Sequence, residues 1–154
     1  DRGMVARCVA RRSRASILMD GRGPPRDVLP STNHRPAMHR PDTDPRSVDP
    51  NDVLCDFCHR PWGGSRPVVE GHHGSIVCGD CLTAAYTALV MNDVSTAPPG
   101  STCTMCLEAR EEPCWRSPDH AEAIICRRCA NQSARVLHKN DDYEWWRPDR
   151  PPGE

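Results

Sequence analysis

Leu54-Cys55-Asp56-Phe57-Cys58, followed by Ile76-Val77-Cys78-Gly79-Asp80-Cys81-Leu82, decides how this chain folds. Each stretch carries a Cys-x-x-Cys pair, and that spacing lets a tight turn aim two sulfurs at one ion. Two pairs supply four thiolates, the closed tetrahedral shell that structural zinc prefers. The arrangement returns 48 residues later as Cys103/Cys106 and Cys126/Cys129, with the same 19-residue gap between pairs. The offset also superposes His72 on His120, Ile76 on Ile124, Val77 on Ile125, Leu89 on Leu137 and Asn92-Asp93 on Asn140-Asp141. A match of that extent reads as tandem duplication of one small unit.

Composition explains why metal is needed. The chain has 154 residues, 16 of them Pro, with one Phe, two Tyr and four Trp. Apolar residues make up 37%, below the usual 45–50% or so. A unit of about 40 residues rarely folds on an apolar core alone. Zinc binding to small cysteine sites is worth on the order of 10 kcal/mol, and that free energy is folding free energy.

The boundaries follow from the repeat. Residues 1–50 read as a disordered Arg/Pro-rich leader, 51–93 as the first zinc module and 94–101 as a polar linker stiffened by proline. Residues 102–141 read as the second module and 142–154 as an aromatic, Pro-rich tail. Within module one, Val53-Leu54 lead into the knuckle, and Pro67–Gly71 and Ser75–Val77 are strand candidates. Gly79 to Met91 reads as a helix with Leu82, Ala85, Tyr86 and Leu89 on one face. Module two repeats the plan, with Ala123–Ile125 as strand and Arg127–Lys139 as helix, its inward face Ala130, Ser133, Ala134 and Leu137. The expected fold is a small metal-stabilised α+β chain: two tandem treble-clef-like four-cysteine modules, each a β-hairpin knuckle plus a helix, with disordered ends. The positive end of each helix dipole, at Cys78 and Cys126, favours thiolate.

The expected ligands are Cys55, Cys58, Cys78 and Cys81 for site one, and Cys103, Cys106, Cys126 and Cys129 for site two, holding two zinc ions per chain. Ligation within each module is favoured over a cross-braced pattern because the repeat is sequential. A full cysteine shell leaves no position for catalytic water. A redox Cys-x-x-Cys would expect a thioredoxin-like context that the flanks lack.

The remaining candidates have modest readings. Cys114 and Cys8 lack repeat partners, and Cys114 falls opposite Arg66, so it reads as a small packing residue. His72 and His120 read as turn or supporting residues rather than ligands, and His59 and Arg60 as solvated. Arg127 and Arg128 are read as screening the anionic site. Tyr143, Trp145 and Trp146 have two open readings: a docking anchor for a partner, or a cover folded back on module two.

The quoted cysteine stretches, with Phe57 in the knuckle and Ile76-Val77 before Cys78, resemble the N-terminal zinc-binding domain of the ClpX unfoldase family. The resemblance covers about 30 residues per module, and module two departs from it with Met105 in the Phe position. It implies a treble-clef module for dimerisation and for adaptor or substrate recognition. No Gly-x-x-x-x-Gly-Lys-Ser/Thr motif accompanies it, so the implied function is a stand-alone binding module and not an enzyme.

Charge weighs on partners. Residues 1–50 carry net +4 and residues 51–154 net −5. An acidic cysteine-bearing part counts against a strong nucleic-acid footprint, which leaves a protein partner or homodimer as the expectation. Tyr86, Leu89 and Val90 are the expected contact surface. The alternative is a nucleic-acid-binding zinc finger using the leader with Arg127, Arg128 and Arg135. No apolar stretch is long enough to span a bilayer, and residues 1–20 lack the apolar core of a secretion signal. Residues 2–19 are Arg-rich and free of acids, a faint transit-peptide character. Reduced thiols fit the cytoplasm better than a secreted disulfide framework.

Overall fold

The computed structural model describes residues 39–150, together with the backbone of Arg7–Cys8. Its strands are β1 (Arg7–Cys8), β2 (Val68–Glu70), β3 (Ile76–Cys78), β4 (Cys114–Arg116) and β5 (Ile124–Cys126). Its helices are α1 (Gly79–Tyr86), which continues into a wider turn over Thr87–Met91, and α2 (Arg127–His138). The result is a small α+β molecule with two short antiparallel sheets and two helices. No helix among the described residues is long and apolar enough to cross a membrane.

Each half is a hairpin feeding a helix. In the first half Val68 faces Cys78 across the ladder and Val69 faces Val77. In the second, Cys114 faces Cys126 and Trp115 faces Ile125. The apolar residue types before each third cysteine are β-branched, which suits a buried pleat, and β3 and β5 are buried along their whole length. Each strand runs straight into its helix, so Cys78 and Cys126 are both last strand residue and N-cap.

The strand β4 is absent from the sequence-based expectation, and its register explains why. The constant 48-residue offset places Cys114 opposite Arg66, but the ladders make Cys114 the counterpart of Val68, an offset of 46. The backbone agrees: Gly79 N–H donates to Pro67 O at 2.8 Å, and Arg127 N–H donates to Pro113 O at 3.0 Å. Half two has two fewer residues between knuckle and strand, and two more in the hairpin loop. The compensating shift preserves the 19-residue gap and hides the slip. Cys114 is therefore buried as Val68 is, which bears out its reading as a packing residue.

The two halves share one core. Leu82, Ala85, Tyr86 and Leu89 of the first helical segment, and Ala130, Ser133, Ala134 and Leu137 of α2, are buried as their spacing predicts. Phe57 and Met105, third residues of the two knuckles, are also fully buried. They sit at a reciprocal contact. His72 N–H donates to Met105 O at 2.9 Å, and Ser117 Oγ donates to Phe57 O. Each knuckle thus meets the hairpin loop of the other half, as in a two-fold pair. Gly71 completes the fit, because a Cβ there would stand 2.7 Å from Met105 O.

Three expectations about the flanks change. The linker lies along β4: Thr96 and Ala97 N–H donate to Cys114 O at 2.9 and 3.1 Å, and Ser95 Oγ accepts from Cys114 N–H at 3.1 Å. The disorder expected of residues 1–50 falls mostly outside the described residues. Arg7–Cys8, however, pairs with β2, and Arg40 N–H donates to Asp52 O at 3.1 Å. The tail is ordered through residue 150 and folds back on the first half rather than on module two. Trp145 is buried, its Nε1 donating to Gly79 O at 3.2 Å and Thr83 Oγ1 at 3.1 Å. Trp62 Nε1 donates to Tyr143 Oη at 3.3 Å. A Cβ on Gly79 would stand 2.9 Å from Trp145 Cδ1. The corresponding start of α2 is Arg127, which presents no such seat to an indole.

Candidate metal centres

The eight paired cysteines come together as two groups: Cys55, Cys58, Cys78, Cys81 and Cys103, Cys106, Cys126, Cys129. Within each group the four sulfurs lie within 4.8 Å of one another. Each group draws both pairs from its own half, so sequential grouping holds and cross-bracing does not. Either group could hold a metal ion.

Local backbone builds both cages alike. His59 N–H donates to Cys55 O at 2.8 Å and Cys55 N–H to Arg60 O at 3.0 Å, closing the first knuckle. Leu107 N–H to Cys103 O at 2.8 Å and Cys103 N–H to Glu108 O at 3.0 Å close the second. Both turns pass through the left-handed region, at His59 (φ 54°) and Leu107 (φ 60°). Amides then point at sulfur: Cys78 N–H reaches Cys55 Sγ at 3.3 Å and Cys126 N–H reaches Cys103 Sγ at 3.4 Å. Such donors offset thiolate charge and orient the ligand. The second knuckle residue ties the pairs together. Asp56 accepts from Ile76 N–H at 2.6 Å, and Thr104 Oγ1 accepts from Ile124 N–H at 3.1 Å.

The four sulfurs of each cage perturb one another's ionisation. Hydrogen bonds from Cys55 and Cys81 hold Cys78 well below the usual thiol value, while Cys81 is pushed up by Cys55 and Cys78 and then by burial. In the second cage the Cys126 and Cys129 thiols hold Cys103 down, and Cys129 is pushed up by Cys103 and Cys126. One thiolate per cage is stabilised at the expense of its neighbours, and a cation among the sulfurs would stabilise the others. Cys58 Sγ and Cys78 Sγ are 3.7 Å apart. That separation fits the edge of a tetrahedron with metal–sulfur bonds of about 2.3 Å and is far longer than the ~2.05 Å of a disulfide. None of the described cysteines is disulfide-bonded. Cys114 stands outside the cages, with burial pushing its thiol up to about 11.

The charged neighbours are partly different from those expected. Arg127 pairs with Asp93. Arg110, which the sequence reading passed over, is the cation beside the second cage: its own pKa is raised first by Cys106. Only the fold reveals this, because the knuckle turn brings Arg110 back toward Cys106 while Glu108 and Glu112 flank it. Arg60 is exposed and pairs with Asp80 at 3.4 Å.

The histidines divide. His72 and His120 shape their turns through backbone carbonyls, accepting from Ser75 N–H at 3.2 Å and Ala123 N–H at 2.9 Å. His59, expected in solvent, is instead half-buried and stacks on the His120 ring with centroids 3.3 Å apart. Burial, and then the His120 ring, lower its pKa. Tyr86 and Leu89, expected on a contact surface, lie in the core, with Val90 half-buried beside them. No family model, curated protein or solved structure matches this chain.

Proposed function

We propose that this protein is a zinc-stabilised interaction module that holds two structural zinc ions and catalyses no reaction. The observation that carries the reading is the pair of complete cysteine cages. Four sulfurs on an ion close its shell, so the metal supplies folding free energy and no open Lewis-acid position. Cys55, Cys58, Cys78 and Cys81 would hold one zinc, and Cys103, Cys106, Cys126 and Cys129 the other. Hairpin knuckle, second hairpin and helix start supply the ligands in the order of a treble clef, which supports the likeness to ClpX-type zinc domains.

The proposed partner is another protein or a second copy of this chain. With Tyr86 and Leu89 in the core, the large apolar side chains left exposed among the described residues are Val48, Met91, Val94, Leu107 and Trp146. The nucleic-acid reading has less support. Residues 51–154 are net acidic, and the Arg127 guanidinium is engaged by Asp93. A reducing compartment such as the cytoplasm suits the thiolates.

Native mass spectrometry of the full chain tests the reading. Two zinc ions in the cages and a dimer that dissociates on Met91→Asp with Val94→Asp are the expected results. One cage ion, iron, or none would overturn the zinc assignment. A monomer at all concentrations would remove the homodimer and leave the heterologous partner. Tight duplex or single-stranded DNA binding at physiological salt would overturn the protein-partner reading in favour of nucleic acid.

A further inference from the structure

A third group of metal-ligating side chains lies outside both cysteine cages. His59 leaves the first knuckle one residue after Cys58, while His120 and Glu122 sit in the loop between β4 and β5. One ligand atom from each of the three lies within 4.8 Å of the others. His120 Nδ1 is 3.9 Å from Glu122 Oε1, and the Glu122 side chain is exposed. Separately, His59 Nε2 is buried from solvent and has no hydrogen-bond partner. Buried polar atoms are nearly always satisfied, so an orphaned imidazole nitrogen beside a second imidazole and a carboxylate points to a missing ligand. The two rings stand with centroids 3.3 Å apart, and imidazole nitrogen is the commonest protein ligand of metals.

We propose that His59, His120 and Glu122 form a third metal site, taking a divalent imidazole-preferring ion such as zinc, between the two halves of the molecule. The set is of a different kind from the cages: two nitrogens and one oxygen, with a fourth position open to water or an outside donor. Imidazole lone pairs lie in the ring plane, so the stacked rings turn about their side-chain bonds to converge on the ion. Glu122, on the solvent side, closes over it. Binding pins the first knuckle to the second hairpin loop. The repeat does not duplicate the site, because Leu107 stands where His59 does.

The test uses the full chain with both cages zinc-loaded, probed with added zinc or cobalt(II). Metal counting at saturation should give three ions for the wild type and two for His120→Ala and for the double variant His59→Gln/His120→Gln. Two ions in the wild type, or three retained in the double variant, overturns the proposal. Should a variant lose cage zinc, the wild type decides alone: substoichiometric cobalt(II) should broaden the ring-proton NMR signals of His59 and His120 before those of the other five of the seven histidines. Uniform broadening, or none, overturns the site. A chain lacking cage metal would instead break the reading of the cysteines, and the zinc count of the protein before addition separates the two failures.

Discussion

The two halves of this molecule have the same four-cysteine scaffold and different filling. Both close a knuckle with the same pair of backbone hydrogen bonds, both aim a strand-end amide at the first cysteine, and both start a helix on the third. They differ where no sulfur is involved. The first half has a short hairpin loop, Phe57 in the core and a helix that widens at Thr87–Met91, where Asn92 N–H donates five residues back to Thr87 O. The second has a longer loop, Met105, and a regular helix through His138. The spacing of four sulfurs around one point tolerates little displacement, whereas lengthening a loop by two residues costs little closure entropy. The four-cysteine geometry is what the two halves share, and the packing around it is where they differ.

The largest expected effect comes from removing the shared scaffold. Chelation, or Cys78→Ser with Cys126→Ser, should abolish helical circular dichroism, since each zinc supplies on the order of 10 kcal/mol. Because the halves share a core, Cys126→Ser alone should also lower protection of first-half amides in hydrogen exchange. Persistence of a fully protected first half would make the halves independent. Acid should act in the same direction: ligation needs thiolates, so metal binding releases protons and weakens as pH falls.

The reciprocal knuckle contacts give the next comparison. Phe57→Ala should destabilise the zinc-loaded protein by about 3–5 kcal/mol and Met105→Ala by about 2–5 kcal/mol, measured by denaturant unfolding. Phe57 is expected to be the costlier because its ring also contacts Trp115, at a centroid distance of 6.0 Å. A reversed order would place the weight of the interface on the other knuckle.

The tail tests the asymmetry between the helix starts. Trp145→Ala should cost about 3 kcal/mol and expose the first turn of α1, while Trp146→Ala, on the surface, should stay within about 0.5 kcal/mol. Equal effects would mean that the indole seat over Gly79 contributes little. Smaller still is the contrast at the second knuckle residue. Asp56→Ala removes a charged acceptor 2.6 Å from Ile76 N–H and should cost about 1.5–3 kcal/mol; Thr104→Ala removes a neutral one at 3.1 Å and should cost about 1 kcal/mol.

The cages were legible because their signal is local. Cys-x-x-Cys fixes two ligands within one turn, and the duplication shows which pairs belong together. The helix faces were legible for a related reason, since Leu82, Ala85, Tyr86 and Leu89 follow the helical period. Two of them, Tyr86 and Leu89, were misread as part of a contact surface, because an apolar stripe does not say what covers it. Here the other half of the chain does. Strand β4 escaped because a constant cysteine offset implied a constant alignment. The stacked His59 and His120 escaped because each belongs to a different half, and Arg110 because only the fold of the knuckle turn brings it back to Cys106.

By itself the sequence determined the two sulfur groups, their sequential pairing and the helices that begin on them, all set by spacings of a few residues where covalent geometry restricts the outcome. Tertiary structure alone decided the register of β4, the two-fold exchange between knuckles and hairpin loops, the seating of Trp145 on the first half and the meeting of His59 with His120 and Glu122. These depend on which surfaces exclude water from one another once both cages are in place. No spacing along the chain encodes that contact.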